Sequence, residues 1–297
     1  MRLTKRGPSL SARAKVNLYL HVAAPDARGY HPLQSLVAFA DIGDEVSLFE
    51  TEASAELLRP DLSLSGPFAE GLGAGEDNLI LKAVRAFEAT AGLRVDRHAI
   101  HLVKNLPIAS GLGGGSADAG AVLHLLREAY APDMADEALG AIAAKTGADG
   151  VMCLWARPSL AEGYGERLTS VTLPSVSAVL INPGVACSTA EVYRGFDAQG
   201  QFSRLDATAE DIVNVEVLTT FLAKTRNDLQ APAVAMQPVI GKVLASLAAQ
   251  PETLFARMSG SGATCFALCR SDAEASTLGH RMQLMWSGAW IMPCRLG

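Results

Sequence analysis

The sequence has little of what a metal site or a disulfide framework requires. Five cysteines occur in 297 residues, and none of them forms a Cys-x-x-Cys pair. The six histidines include no His-Glu-x-x-His pattern. A zinc site needs four ligands at matching spacings, and none can be assembled here. We therefore expect buried, reduced thiols and no metal held by protein ligands alone.

Long apolar runs and an excess of positive charge are also missing. No apolar run reaches 18 residues, and the basic start is followed by Arg13, Lys15, Asn17 and His21. We expect neither a membrane span nor a secretory signal, and hence a cytoplasmic protein. With 25 basic against 31 acidic residues, the net charge of −6 argues against nucleic acid or an anionic membrane as the main partner. Hydrophobic residues make up 49% of the chain, which excludes a disordered protein.

Hydrophobic periodicity predicts a mixed set of strands and helices in the first half. Residues 11–22 alternate strictly, which predicts a strand with one face in the core and Arg13, Lys15, Asn17, Tyr19 and His21 on the other. The other predicted elements are strands 36–39 and 46–49 around a turn at 41–44, a helix from Asn78 to Ala91 that Asp77 or Asn78 caps and Gly92 ends, a strand at 98–104, a helix at 136–146 and a strand at 151–156.

Residues 157–175 contain several prolines and glycines (Pro158, Gly163, Gly165 and Pro174). We place the domain boundary there, with domains 1–165 and 166–297. The second half predicts strands at 177–182, 254–258, 263–269 and 288–293, and helices at 189–197, 210–225, 231–249 and 272–284. The predicted strands and helices alternate, but they do not form the long series of strand–helix repeats that builds a parallel sheet. This pattern favours an α+β fold over a barrel.

A glycine-rich loop before an amphipathic helix is the most informative segment. Its glycines let successive backbone N–H groups converge, and the helix N-terminus adds unsatisfied donors, which together suit a polyphosphate. A flexible loop capped by Ser116 or Asp118 remains the alternative. No lysine follows the last glycine as in a Walker A loop, and no acidic ribose partner fits a dinucleotide fingerprint. The predicted phosphate loop comprises Pro107, Ile108, Ala109, Ser110, Gly111, Leu112, Gly113, Gly114, Gly115, Ser116 and Ala117.

Three polar residues outside the loop are candidates for chemistry. Lys15 and Asn17 lie two apart on one strand, so their side chains point the same way and can face one site. Asp149 lies between a glycine-capped helix end and an apolar run. The alternative is a solvated strand face for the first two and a turn former for Asp149.

These pieces resemble the three ordered motifs of the GHMP kinases, a superfamily that includes galactokinase, homoserine kinase, mevalonate kinase and phosphomevalonate kinase. The resemblance rests on Ala-Lys-Val-Asn at 14–17, the loop at 107–116 and Ser259-Gly260-Ser261-Gly262. It runs from about residue 12 to 269. A branch whose substrate carries a cytidine diphosphate group is most similar, through Gly29-Tyr30-His31, Glu76-Asp77-Asn78-Leu79-Ile80, Asn182-Pro183-Gly184 and Arg226-Asn227-Asp228-Leu229.

The resemblance implies two α+β domains with the active site in the cleft between them, ATP as co-substrate with Mg²⁺, and a role in the non-mevalonate route to isoprenoid precursors. It implies that Lys15 and Asp149 are catalytic, with Asn17 as their neighbour, and that residues 107–117 bind the ATP phosphates. Lys104 matches a position near the adenine. The positions around the cytosine are Tyr30, His31 and Tyr193.

The sequence departs from the family pattern at three places, namely Arg28 before Gly-Tyr-His, Gly150-Val151 after Asp149, and Ala117 at the end of the loop. Two alternatives stay open. One is a kinase of another alcohol, such as homoserine or mevalonate, which would have no need of Tyr30 and His31. The other is a non-catalytic nucleotide-binding or RNA-binding module, which the net charge and the retained Lys15 and Asp149 disfavour. The oligomeric state does not follow from the sequence.

Overall fold

A computed structural model describes residues 3–51, 61–207 and 212–297 of the protein. The chain divides into two compact units, each built from separate segments. Unit 1 comprises Met1–Ala14, Ile42–Ile108 and Gly113–Ala156, and unit 2 comprises Lys15–Asp41, Ala109–Leu112 and Arg157–Gly297. The chain enters unit 2 for the last time at Arg157, at the edge of the stretch where composition placed a boundary. The units are not continuous in sequence, whereas the predicted domains 1–165 and 166–297 are.

The described residues form both strands and helices, so the predicted α+β class is confirmed. The strands are β1 Leu3–Asn17, β2 His21–Val22, β3 Leu33–Thr51, β4 Leu62–Ser65, β5 His98–Val103, β6 Ser159–Gly163, β7 Arg167–Ser170, β8 Val176–Asn182, β9 Phe255–Met258, β10 Cys265–Leu268 and β11 Trp290–Leu296. The helices are α1 Leu79–Ala91, α2 Gly114–Tyr130, α3 Asp136–Ala143, α4 Gly150–Trp155, α5 Thr189–Gln199, α6 Val215–Ala223, α7 Gln230–Met236, α8 Pro238–Ala248 and α9 Asp272–Met285.

Unit 1 packs helices α1 to α4 with strands β4, β5 and the second part of β3. Strand β5 pairs antiparallel with β3 and parallel with β4. Helix α1 begins where the side chain of Asn78 accepts the N–H of Ile80, and it ends at Gly92, whose φ is 66°. Its buried residues recur at helical spacing (Ile80, Ala83, Val84 and Phe87).

Unit 2 contains an antiparallel sheet in the order β11, β8, β10, β9. Strand β8 is central in this sheet, and all seven of its residues are buried. One apolar core joins it to the helices, and this core contains Val179 and Ile181 of β8, Ile240 and Val243 of α8, and Leu278 of α9. Strand β6 pairs with the first part of β3 and with β7.

The predicted turn at 41–44 is wrong, because β3 runs unbroken from Leu33 to Thr51. Gly43 and Asp44, which suggested the turn, have other structural roles. A Cβ on Gly43 would lie 2.1 Å from the carbonyl oxygen of Ala12, so the glycine permits close backbone approach. The carboxylate of Asp44 accepts the backbone N–H groups of Asn105 and Leu106, so it stabilises a neighbouring segment and forms no turn.

The strand predicted at 151–156 is also wrong, because Gly150–Trp155 forms helix α4. Periodicity cannot separate a short apolar strand from a buried helical turn. The face of the first strand that was predicted to lie outside the core is buried from Lys15 onward, including Asn17, Tyr19 and His21, so the alternative of a solvated face is wrong there. The helix predicted at 231–249 is divided into α7 and α8 at Gln237, because Pro238 has no N–H to continue the ladder.

Some predictions are only partly matched, and some elements were not predicted. Residues 210 and 211 of the helix predicted at 210–225 lie outside the described residues, and α6 begins at Val215 after an Asn214 cap. Strands β4, β6 and β7 were not predicted.

No single described helix combines the length and the apolarity needed to cross a membrane. Helices α7 and α8 together have that length and apolarity, but they are bent by 119° at the break between them.

Candidate active site

The second part of the glycine loop forms the first turn of helix α2. Gly113 takes a left-handed conformation with φ 64° just before the helix, and no side chain caps it. The first internal hydrogen bond runs from the N–H of Ala117 to the carbonyl of Gly113 at 2.9 Å. The N–H groups of Gly114, Gly115 and Ser116 precede that bond, so the helix itself gives them no partner. This geometry suits an anion such as a phosphate.

The first part of the loop, 109–112, packs against the 259–264 turn within unit 2. The hydroxyl of Ser259 donates to the carbonyl of Gly111 at 3.0 Å. The N–H of Thr264 donates to the carbonyl of Ser110 at 3.1 Å. A Cβ on Gly111 would lie 2.4 Å from the carbonyl oxygen of Ser259. Gly111 also has a φ of 76°, so both space and backbone conformation require glycine there.

Lys15 and Asn17 lie together at the end of β1, as their two-residue spacing predicts. They are 5% and 6% exposed, and the Lys15 ammonium donates to the Asn17 side-chain oxygen at 2.7 Å. The Asn17 amide donates to the Ser35 hydroxyl at 2.8 Å, which fixes the orientation of the amide. The backbone N–H of Lys15 donates to the carbonyl of Leu112 at 2.9 Å, so this strand end is bonded to the loop.

The Ser259 to Gly262 segment lies in the turn of the β9–β10 hairpin. Its Ser259 hydroxyl accepts the N–H of Asn17 at 3.1 Å while donating to Gly111. One serine therefore connects the Lys15–Asn17 strand end with the loop. The Asn227 amide donates to the carbonyls of Met258 and Gly260 at 2.9 and 2.8 Å, which holds the turn. In the sequence, Asn227 was recognised only as part of the motif at 226–229, and no role was predicted for it.

Asp149 lies at the N-terminus of α4 in unit 1 and is half-buried. Its carbonyl accepts the N–H of Cys153 at 3.0 Å, which begins the helix. A Cβ on Gly150 would lie 2.0 Å from the carbonyl oxygen of Ala143. The departure from the family pattern at residue 150 therefore has a steric basis, because only glycine fits this close approach.

The structure brings His31 and Tyr193 together, with ring centroids 5.2 Å apart. The Nδ1–H group of His31 donates to the carbonyl of Ala23 at 2.9 Å, and its Nε2 lies 3.1 Å from a carboxylate oxygen of Asp197. Tyr30 is 64% exposed, and its ring lies 6.3 Å from that of Tyr164 in an edge-to-face arrangement. All these residues belong to unit 2.

Asp26 organises the segment that carries Tyr30, a role that the sequence did not reveal. Its carboxylate accepts the backbone N–H groups of Arg28 and Tyr30 at 2.8 and 3.0 Å and the Tyr164 hydroxyl at 2.9 Å. Desolvation opposes ionisation, but these hydrogen bonds hold the pKa of Asp26 below its usual range. The guanidinium of Arg28 lies 5.7 and 5.2 Å from the ring centres of Tyr30 and Tyr164. Arg28 thus forms cation–π contacts with both rings.

Lys104 is buried, and its ammonium lies between two carboxylates. It donates to Asp44 at 2.5 Å and to Asp118 at 2.7 Å. Burial lowers the pKa of Lys104, but the two carboxylates outweigh it and raise that pKa. Burial raises the pKa of Asp118 to about 8 in spite of the lysine. The placement of Lys104 near the adenine stays a prediction.

No group of three or more His, Cys, Asp or Glu side chains in the described parts of the chain is arranged to hold a metal ion. The donors around the loop are instead backbone amides and hydroxyl groups. Such donors suit an anion, and they are compatible with Mg²⁺ that is held mainly by phosphate oxygens and water.

Comparison with known proteins agrees with this geometry. Residues 78–156 match the family model of the GHMP kinases N terminal domain, and residues 206–288 match that of the GHMP kinases C terminal domain. The first match contains the glycine loop and Asp149, and the second contains Asn227 and the Ser259 turn. The fold and the loop are those of a GHMP kinase.

The 4-diphosphocytidyl-2-C-methyl-D-erythritol kinase of Caulobacter vibrioides (strain NA1000 / CB15N) is 49% identical over 292 residues, which cover 97% of this chain and 99% of the relative. A crystal structure of 4-(cytidine 5'-diphospho)-2C-methyl-D-erythritol kinase matches with a TM-score of 0.75 and 31% identity over 98% of this chain and 99% of the other. The chain therefore belongs to the 4-diphosphocytidyl-2-C-methyl-D-erythritol kinase family.

The homoserine kinase from Cytophaga hutchinsonii matches with a TM-score of 0.66 over 98% of this chain and 97% of the other, at 18% identity. At that identity the likeness concerns the fold alone. A shared fold does not specify the alcohol that is phosphorylated.

Proposed function

We propose that the protein transfers the γ-phosphoryl group of ATP to the 2-hydroxyl of 4-diphosphocytidyl-2-C-methyl-D-erythritol, giving the 2-phosphate and ADP in the non-mevalonate isoprenoid pathway. The observation that carries this proposal is the 49% identity, over almost the whole of both chains, to a kinase of that name. The glycine loop and the buried Lys15–Asn17 pair support it, because both are groups that a phosphoryl-transfer site needs.

In this proposal the loop 107–117 binds the ATP phosphates. The N–H groups of Gly114, Gly115 and Ser116 point out of the N-terminus of α2, where the helix dipole also favours negative charge. Phosphoryl transfer is catalysed mainly by positioning and charge stabilisation. A rigid loop contributes both, and the hydrogen bonds from Ser259 and Thr264 hold residues 109–112 in place.

Lys15 and Asp149 are the proposed catalytic residues. The Asp149 carboxylate accepts or orients the proton of the attacking hydroxyl, and the Lys15 ammonium offsets the negative charge that develops on the transferred group. Asn17 is proposed to hold the Lys15 ammonium in one position, which its 2.7 Å hydrogen bond supports.

Mg²⁺ is proposed to enter with ATP. The ion usually keeps several waters and takes phosphate oxygens with one or two carboxylates as ligands. It would neutralise charge on the β- and γ-phosphates while the loop amides bind their other oxygens.

The cytosine of the substrate is proposed to bind beside Tyr30, His31 and Tyr193. The contact between His31 and Tyr193 at 5.2 Å supports this placement for two of them. The hydrogen bond to Ala23 fixes the His31 ring, and its Nε2 faces the half-exposed Asp197 carboxylate. A cytosine edge that bonds to Nε2 therefore has to displace that carboxylate.

We further propose that the kinase works in the cytoplasm on a small molecule and binds neither nucleic acid nor a membrane. The five cysteines are buried thiols, as in proteins of reducing compartments. The net charge of −6 is consistent with a small-molecule enzyme.

The proposal is tested by measuring ADP release with a panel of acceptors: the cytidylyl substrate, methylerythritol without the cytidylyl group, homoserine and mevalonate. We expect turnover with the first alone. Equal turnover with methylerythritol, or turnover with homoserine or mevalonate, would assign the protein to another alcohol. No turnover with any acceptor, together with intact ATP binding, would favour a non-catalytic nucleotide-binding module.

A further inference from the structure

Three buried ionisable side chains lie together in unit 1, and we call Asp44, Lys104 and Asp118 the buried triad. They are 1%, 3% and 2% exposed. The Lys104 ammonium is the common partner of the two carboxylates, at 2.5 and 2.7 Å. Burying ionisable groups is costly unless they are paired, and here each carboxyl group is paired with the Lys104 ammonium.

The triad is bonded to the chain on both sides of the glycine loop. One oxygen of Asp44 accepts the N–H groups of Asn105 and Leu106 at 2.6 and 2.8 Å, immediately before the loop. Asp118 lies on α2, immediately after the loop, and Lys104 connects it to Asp44. The triad thus fixes the distance between the segment that enters the loop and the helix that leaves it.

The triad also borders the loop itself. A Cβ on Gly114 would lie 3.0 Å from the Lys104 ammonium nitrogen and 3.5 Å from a carboxylate oxygen of Asp44. Gly114 contributes one of the N–H groups that precede the first hydrogen bond of α2. The Lys104 ammonium is therefore next to the proposed phosphate-binding turn, while its own hydrogen bonds go to the two carboxylates.

One oxygen of Asp118 has no hydrogen-bond partner among the described residues, although it is buried. A buried carboxylate with an unpaired oxygen carries a large desolvation cost. On α2, Asp118 is flanked by the small buried residues Ala117, Ala119 and Gly120. Its other carboxyl oxygen accepts the Lys104 ammonium, which is the bond that links α2 to Asp44.

We propose that the buried triad positions the glycine loop for binding the triphosphate, and that Lys104 acts through Asp44 and Asp118 without touching the adenine. This inference rests on the proposed ATP site at the loop. It replaces the adenine contact that family resemblance implies for Lys104 with a positioning role. Asp44 and Asp118, which the sequence did not mark as functional, become positioning residues with it.

The two roles of Lys104 are separated by a probe that has phosphates and no base. Inorganic tripolyphosphate competes with ATP for the loop, and its inhibition constant is measured beside the dissociation constant of ATP. In Lys104→Met we expect both affinities to fall by the same factor, about 10- to 100-fold, as for loss of a buried charge-assisted hydrogen bond. Loss of ATP affinity with unchanged tripolyphosphate affinity would assign Lys104 to the adenine and overturn the proposal.

A second variant covers the case in which Lys104→Met does not fold, since it leaves two buried carboxylates unpaired. Asp118→Leu removes one ionisable group and leaves the ion pair between Lys104 and Asp44. We expect weaker binding of ATP and of tripolyphosphate by a common factor, with KM for the alcohol substrate unchanged. Asp118→Asn keeps the size and an oxygen for Lys104, and it should restore most of the affinity. Unchanged phosphate affinity in a folded Asp118→Leu protein would contradict a positioning role.

Asp136→Asn is the matched control, because it breaks the exposed Arg127–Asp136 pair at the other end of α2. It should leave both affinities unchanged. Direct binding does not depend on which alcohol is phosphorylated. If the acceptor panel fails while the variants behave as expected, the proposed function is wrong and the triad's role stands. If instead the cytidylyl substrate is phosphorylated while the folded variants keep wild-type affinity for phosphates, the proposed function stands and the positioning role of the triad is wrong.

Discussion

The ammonium nitrogen of Lys15 lies 2.7 Å from the side-chain oxygen of Asn17, and both side chains are almost fully buried. A long lysine side chain has many rotamers, and this bond selects among them. The Asn17 amide is itself held by Ser35, and its backbone N–H is held by Ser259. The proposed catalytic lysine is therefore held by a network within unit 2, and removal of Asn17 should affect the lysine.

Asn17→Ala should lower kcat by about 10- to 100-fold, because the buried Lys15 ammonium loses its hydrogen bond to Asn17, which helps to hold it in one position. Steady-state kinetics with both substrates measure this. Ser35→Ala is the control, because it removes one hydrogen bond of the Asn17 amide and keeps the direct bond between Asn17 and Lys15, and it should cost much less. Equal losses in the two variants would mean that the network supports only the fold.

Gly111→Ala should weaken ATP binding and destabilise the protein, because the new Cβ would lie 2.4 Å from the Ser259 carbonyl oxygen at a φ of 76°. Gly140→Ala is the control. It lies in helix α3 with no atom within 4 Å of the added Cβ, so it should be neutral or slightly stabilising. Thermal unfolding and ATP titration measure both. Normal ATP affinity in Gly111→Ala would remove the 109–112 segment from the proposed phosphate site.

Tyr193→Ala and Tyr30→Ala should each raise KM for the cytidylyl substrate by about 5- to 150-fold, because stacking on a base is worth about 1–3 kcal/mol. KM for ATP should barely change. Tyr130→Phe, in unit 1, removes only the hydroxyl that accepts the Arg97 N–H, and it should change neither KM. A loss that is equal for both substrates would mean that the tyrosines support the fold and do not bind the cytosine.

The stability of the protein should depend on pH through Asp118. Burial raises its pKa to about 8 in the folded state, against about 4 in an unfolded chain. Its contribution to stability is therefore fully present below pH about 4 and is lost as the pH rises through about 8. Asp118→Asn removes this titration.

Urea unfolding at several pH values tests this. From pH 5 to pH 9, wild type should lose free energy of unfolding relative to Asp118→Asn. A difference that stays constant over this range, or one that changes in favour of wild type, would contradict a raised pKa. The comparison of the two proteins cancels the titration of groups that do not interact with residue 118.

Local signals in the sequence predicted much of the fold. The Asn78 cap and Gly92 gave the ends of α1 to within one residue, and period-two alternation placed Lys15 and Asn17 side by side. The predicted turn at 41–44 was wrong because contacts with residues distant in sequence outweigh the preference of Gly43 and Asp44 for turns. Asp44 resembles a turn former in sequence, but its partners lie about 60 residues away at Lys104, Asn105 and Leu106.

The same limit applies to the candidate site. The glycine loop is continuous in sequence and was therefore visible, whereas the residues that hold it are not. Ser259 is 148 residues from Gly111, and Asn227 is 31 from the Met258 carbonyl that it bonds. Asp26 was missed because its function is to accept hydrogen bonds from the backbone around Arg28 and Tyr30, and a sequence pattern does not record such bonds.

Product analysis of one reaction tests the proposed kinase activity most directly. Wild type and Asp149→Asn are incubated with Mg-ATP and 4-diphosphocytidyl-2-C-methyl-D-erythritol, and phosphorus NMR follows the products over time. Wild type should give ADP and a new phosphomonoester on the 2-hydroxyl in equal amounts, and Asp149→Asn should form them about 10²- to 10⁴-fold more slowly. ADP without the phosphomonoester, or wild-type rates in Asp149→Asn, would contradict the proposed reaction or the proposed role of Asp149.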